Sequence, residues 1–156
     1  MEAPGQNQPT TVYWISDIHL EMRGRIPRGI FGELLDLPKN SAGAYIEETS
    51  EECKENRKNR ILVLAGDIGS PHYPLYKLFL AICMNKFKHV FVVAGNHEYY
   101  SLPSRQYTIR ETNRQMKRVC DDLGGESAGI YILAAGDNDS IANVVTLTEY
   151  CGRYKF

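Results

Sequence analysis

The sequence predicts an α/β domain, a sheet covered by helices. Three observations point there. Residues 61–65 (ILVLA) and 90–94 (VFVVA) are unbroken apolar runs containing β-branched side chains, the pattern of strands buried on both faces. Between them, residues 74–87 place Leu75, Leu78, Phe79 and Ile82 at helical spacing behind Pro74, and proline favours the first turn of a helix. Each early strand candidate also runs straight into a short turn that carries an acid, a histidine or both. Strand, helix, strand, helix in alternation is how α/β folds read in sequence.

The elements follow in order. Residues 1–10 (MEAPGQNQPT) are polar and read as a disordered lead, with no apolar segment of the kind a secretory signal needs. Residues 11–156 read as a single domain. Residues 11–16 (TVYWIS) form a short strand ending at Asp17. Residues 20–42, rich in Gly, Pro and Arg, read as a loop. In residues 47–60 the opposite charges of Glu51/Lys54 and Glu55/Lys58 recur at helical spacing, which predicts a solvated helix. The strand 61–65, the helix 74–87 and the strand 90–94 come next. Ser104 is a candidate cap for a helix running to about Leu123, stopped by Gly124-Gly125. Residues 130–133 and 144–147 are weaker strand candidates.

Bulk properties narrow the function classes. A chain of 156 residues is long enough for one domain with a real core. Lys and Arg number 18 against 19 Asp and Glu, so the charge balance does not favour a nucleic acid held by phosphate neutralisation. The four cysteines, Cys53, Cys83, Cys120 and Cys151, form no C-x-x-C pair, which removes support for zinc-finger and thioredoxin chemistry. Reduced thiols in an intracellular, cytoplasmic protein are the expectation. The longest apolar stretch, residues 78–84, is far shorter than the roughly 20 residues of a membrane helix.

The chemistry-bearing residues lie in three turns: Ser16-Asp17-Ile18-His19, Ala65-Gly66-Asp67-Ile68-Gly69 and Ala94-Gly95-Asn96-His97-Glu98. All three follow strand candidates, and open α/β sheets gather ligands outside the carboxyl ends of their strands. Asp17, His19, Asp67, Asn96 and His97 are therefore expected at one edge. Asp17 and His19, two apart, share a face in extended backbone. Mixed Asp, His and Asn donors suit Mn, Fe or Zn rather than thiolate-bound ions. Two such ions roughly 3.5–4 Å apart can share a carboxylate and activate a water.

In that order and context, Asp17-Ile18-His19, Gly66-Asp67 and Gly95-Asn96-His97-Glu98 resemble the calcineurin-like metallophosphoesterases, over about residues 11–123. The resemblance implies a layered sheet with flanking helices. It also implies a second sheet, which is expected to be largely missing for want of sequence. It implies hydrolysis of phosphoric esters by a metal-bound hydroxide at a site of two divalent ions. Asp17 and His19 would bind the first ion, Asp67 would bridge, and Asn96 would bind the second. His97 would face the scissile phosphate, stabilising its charge or protonating the leaving oxygen. Where the family often carries a carboxylate to orient that histidine, three residues after the bridging Asp, this chain has Ser70.

The family also draws later histidine ligands from a Gly-His-x-His turn, whereas no histidine here follows His97. A truncated form with weak metal binding and low activity is therefore expected. Two alternatives stand beside it: a catalytically silent relative acting as a binding module, and an enzyme completed in trans by a second chain. Self-association is expected from a sheet lacking its cover. His72 and His89 read as structural, Tyr99 and Tyr100 as packing or partly exposed rings, Glu98 as a local hydrogen-bonding partner, and Arg23 and Arg25 as solvated loop charges.

Overall fold

A computed structural model describes residues 10–26, 57–100 and 106–133. Four strands form one parallel sheet in chain order: β1 (Thr11–Ile15), β2 (Arg60–Ala65), β3 (His89–Val93) and β4 (Ile130–Ile132). Register aligns Tyr13, Leu62, Val90 and Ile130 across the sheet, and Ile15, Leu64, Val92 and Ile132 in the next such row. These two rows face the helices, and Leu62, Leu64, Val90, Val92 and Ile130 are buried in the core there. The intervening row, Trp14, Val63, Phe91 and Tyr131, lies on the other face. There Trp14 is 72% exposed and its neighbour Val12 50%. The central run 61–65 is thus fully buried only at Leu62 and Leu64, with Ile61 and Val63 half-buried.

The helices supply the other wall of the core. Helix α2 (Pro74–Lys86) begins on its proline and buries Tyr76, Phe79, Leu80 and Cys83. This stripe differs from the one expected, since Leu78 is exposed and Leu75 and Ile82 only half-buried. The i, i+3, i+4, i+7 series is carried by an aromatic and a cysteine as well as by aliphatics. Helix α3 (Ile109–Asp122) starts from Thr108, whose side chain and Glu111 form a reciprocal capping box. Ser104 lies outside the described residues. Gly124, at φ +101, ends that helix, and Gly125 opens the short α4 (Gly125–Ala128) rather than continuing a loop.

The segment expected to be a loop from residue 20 begins as the one-turn helix α1 (Leu20–Arg23). Its side chain Arg23 turns back, Nε donating to the Ile18 carbonyl at 2.8 Å, so this cation is used locally. Residues 1–9 of the lead, all of residues 27–56 with most of the charged helix candidate, and the strand candidate at 144–147 fall outside the described residues, and Arg60, the last residue of that helix candidate, instead opens β2. Among the described residues no helix is long and apolar enough to cross a membrane. Cys83 and Cys120 are buried free thiols. Burial pushes the Cys120 thiol up to about 12 and the Cys83 thiol higher still, which keeps both protonated and unreactive.

Candidate metal centre

Because β1, β2 and β3 are parallel neighbours, the turns that leave their carboxyl ends emerge at one edge. Alternation within the first turn does the fine positioning. Ile18 and Leu20 are buried in the core, while Asp17, His19 and Glu21 are not fully buried. Ile68 does the same for the second turn, next to Asp67. Each apolar side chain anchors a polar neighbour at the rim. Backbone bonds lace the two turns together: Asp17 N–H to the Gly66 carbonyl (3.2 Å), His19 N–H to that of Asp67 (3.0 Å) and Leu20 N–H to that of Ile68 (2.9 Å).

Among the described residues, the non-glycine positions with left-handed backbone are Asp17 (φ 57), His19 (φ 51) and Asp67 (φ 56). That conformation is uncommon outside glycine, though Asp and His tolerate it better than most, and such local strain clusters at binding and catalytic sites. Here it coincides with three of the four metal ligands expected from sequence. Their donor atoms lie within 4.8 Å of one another. His19 Nε2 is 3.8 Å from Asp17 Oδ1, longer than a hydrogen bond. Ligand–metal distances of about 2 Å place neighbouring ligand atoms roughly 3–4 Å apart, so the donor set fits a divalent cation with little adjustment. Asp17 is the open side of the cluster, its side chain 68% exposed.

The third turn is bound to the second by two devices. Gly66 and Gly95 meet backbone to backbone: a β-carbon at Gly66 would sit 2.9 Å from the Gly95 Cα, and one at Gly95 would lie 2.6 Å from the Asp67 nitrogen. Only glycine permits that approach. The second device is Glu98, which is fully buried. Its Oε2 accepts N–H bonds from Asp67 (3.0 Å) and Gly95 (2.7 Å), and its Oε1 from Ile68 (2.7 Å) and Gly69 (3.3 Å). One carboxylate therefore ties together the two turns that carry Asp67, Asn96 and His97. Burial, with the nearby Glu98 charge adding to it, holds the Tyr76 hydroxyl protonated well above the usual phenol range.

Asn96 and His97 sit where the third turn enters a single 3₁₀ turn, His97–Tyr99. The His97 amide donates to Asp67 Oδ1 at 2.8 Å. Asn96 Nδ2 donates to the Tyr100 hydroxyl at 2.8 Å. The His97 ring lies edge-on to that of His19, centroids 4.1 Å apart, and is tilted against Tyr100 at 4.5 Å. Tyr99 is turned away, its hydroxyl donating to Asn113 Oδ1 at 2.9 Å. His72 stacks on Tyr107 with centroids 3.5 Å apart. His89 contacts the Tyr131 hydroxyl, and burial, reinforced by Lys88 and Arg57, lowers its pKa and favours the neutral ring.

One neighbour of the site is absent from the expectations above. Glu21 Oε1 lies 2.9 Å from His97 Nδ1 and 3.8 Å from His19 Nδ1. The run Asp17-x-His19-x-Glu21 was the available signal, three potential donors within five residues, but residue 20 read as the start of a loop.

Comparison with known proteins agrees with this picture. The family model for calcineurin-like phosphoesterases matches residues 10–151. The uncharacterized protein L509 of Acanthamoeba polyphaga mimivirus is 30% identical over 111 residues, covering 70% of this chain and 34% of that protein. The chain thus spans about a third of the length of that relative. No solved structure matches. With a family model covering most of its length, and an α/β fold of a parallel sheet flanked by helices consistent with that family, the chain belongs to the calcineurin-like phosphoesterases.

Proposed function

We propose that this chain hydrolyses phosphoric esters at a centre of two divalent cations, of Mn, Fe or Zn. Asp17 and His19 hold the first ion, Asp67 bridges and Asn96 holds the second. The observation that carries the reading is the convergence of Asp17, His19 and Asp67 to within 4.8 Å, each on left-handed backbone. When bound, such cations acidify water and neutralise charge on the phosphoryl oxygens. The chain's own residues do the rest. The Asp67 carboxylate is aimed by the His97 amide, and Glu98 fixes the turn that presents it. His97, beside the cluster, hydrogen-bonds the phosphoryl group and gives a proton to the leaving oxygen. Residues 98–156 contain no histidine, so residues 1–156 by themselves offer the cations few donors, and weak binding with slow turnover is expected of this stretch of chain.

The test is hydrolysis of p-nitrophenyl phosphate by the full chain with and without added Mn. Slow turnover that needs Mn and disappears with a chelator is expected. No turnover from a folded chain with Mn present overturns the reading. It favours instead a silent relative that acts as a binding module, for which the exposed Trp14 and Val12 are the motivating observation.

A further inference from the structure

We propose that Glu21 is the positioning residue for His97, taking over the orienting role for which residue 70 has no carboxylate; the inference rests on the hydrolase reading of this site. A carboxylate only accepts hydrogen bonds, so at 2.9 Å from Glu21 Oε1 the His97 Nδ1 carries the proton of that bond. The proton His97 gives up must then come from Nε2, the nitrogen left for substrate. A second hydrogen bond that fixes which ring nitrogen works is a recurrent feature of histidine chemistry.

Four features support the assignment. Glu21 is well placed to stay put: it follows the buried Leu20, whose amide is bonded to the Ile68 carbonyl. Its side chain is only 15% exposed, so its bond to His97 is shielded from water and strengthened by charge. Gly69 makes room for it, since a β-carbon there would lie 3.0 Å from Glu21 Oε2. Finally, Ser70 is occupied elsewhere, its buried hydroxyl accepting from the His72 amide at 3.4 Å. The competing role is that Glu21 joins His19 and His97 as a cation ligand, the three having donor atoms within 4.8 Å. Glu21 stands at hydrogen-bond distance from one of those histidines and not from the other, which favours positioning.

The experiment compares the wild-type chain with Glu21→Gln, which keeps size, and Glu21→Ala. Long-range proton–nitrogen NMR of the metal-free chain reports which His97 nitrogen is protonated. Wild type is expected to show Nδ1–H, the Gln variant the same tautomer with a weakened bond, and the Ala variant a shift toward Nε2–H. With Mn and p-nitrophenyl phosphate, kcat is expected to fall about 10–100-fold in Glu21→Ala, and less in Glu21→Gln. KM and Mn affinity stay within about threefold by the same reasoning, because an orienting group touches neither ligand. A wild type whose His97 Nδ1 carries no proton, or a His97 signal indifferent to both substitutions, overturns the proposal. So does loss of Mn affinity in step with kcat, which makes Glu21 a ligand. If Glu21→Ala does not fold, the Gln variant decides, an unmoved His97 signal and unchanged kcat counting against the role. Absence of turnover in wild type refutes the hydrolase reading instead, and the NMR result then still decides whether Glu21 orients the ring.

Discussion

Glu98→Ala is expected to lower stability by about 3–5 kcal/mol, the range for removing one partner from a buried charged network. Four backbone N–H groups, from Asp67, Ile68, Gly69 and Gly95, converge on the Glu98 carboxylate inside the protein. Without it they are left unsatisfied in a site closed to water, and an orphaned buried donor costs about 1–3 kcal/mol. Glu98→Gln does not restore the arrangement. Each carboxylate oxygen serves two donors, so whichever way the amide is turned, its NH₂ faces two N–H groups. A loss of roughly 2–4 kcal/mol is expected for Gln on the same scale. For a domain of this size, 1 kcal/mol moves the melting midpoint by about 2–4 °C, so Glu98→Ala should melt some 10 °C below wild type in a thermal scan followed by circular dichroism. A shift under about 2 °C would show that water or relaxation replaces the carboxylate, and that it is not the clasp between the turns.

Asp67→Asn is expected to do the opposite, sparing the fold and abolishing the chemistry. Asparagine tolerates left-handed backbone as aspartate does, and its side-chain oxygen still accepts the His97 amide that Oδ1 accepts now. Stability should therefore change by less than about 1 kcal/mol, within the range of a neutral replacement. What disappears is the negative charge facing Asp17 and His19 across the cluster. Metal-assisted stabilisation of a phosphoryl transition state amounts to several kcal/mol, so Mn-dependent turnover should drop about a thousandfold. Aryl phosphate hydrolysis and Mn titration calorimetry, run beside a melting curve, check both halves. Turnover within tenfold of wild type would remove Asp67 from the centre of the site.

Local rules made the sheet and the three turns legible. Short apolar runs, the first followed by Asp17 and the other two by Gly66 and Gly95, mark strands and their exits, and parallel pairing then gathers those exits at one edge. The alternation of Ile18 and Leu20 with Asp17 and His19 is readable in the same way. The buried stripe of α2 was misplaced because Tyr76 and Cys83 carry it alongside Phe79 and Leu80, while Leu75 and Leu78, aliphatic and at helical spacing too, offered a competing face. The expected cap at Ser104 missed the start of α3, because the capping box needs a glutamate three residues on, which Thr108 has and Ser104 lacks. Glu21 was legible only as the third donor of the run Asp17-x-His19-x-Glu21, not as a partner of His97. Its contact with His97 spans 76 residues and arises because His19, in left-handed backbone, starts a one-turn helix that no periodicity announces. Glu98 reads correctly as a hydrogen-bonding partner, but its full burial, and its reach to three amides some 30 residues away, were hidden.

The central claim is that Asp17, His19 and Asp67 together seat a divalent cation. Anomalous diffraction from crystals of this chain soaked in Mn measures that directly. A Mn peak is expected within coordination distance of a carboxylate oxygen of Asp17, a ring nitrogen of His19 and a carboxylate oxygen of Asp67. Crystals that take up Mn elsewhere, with those three side chains left uncoordinated, would contradict it.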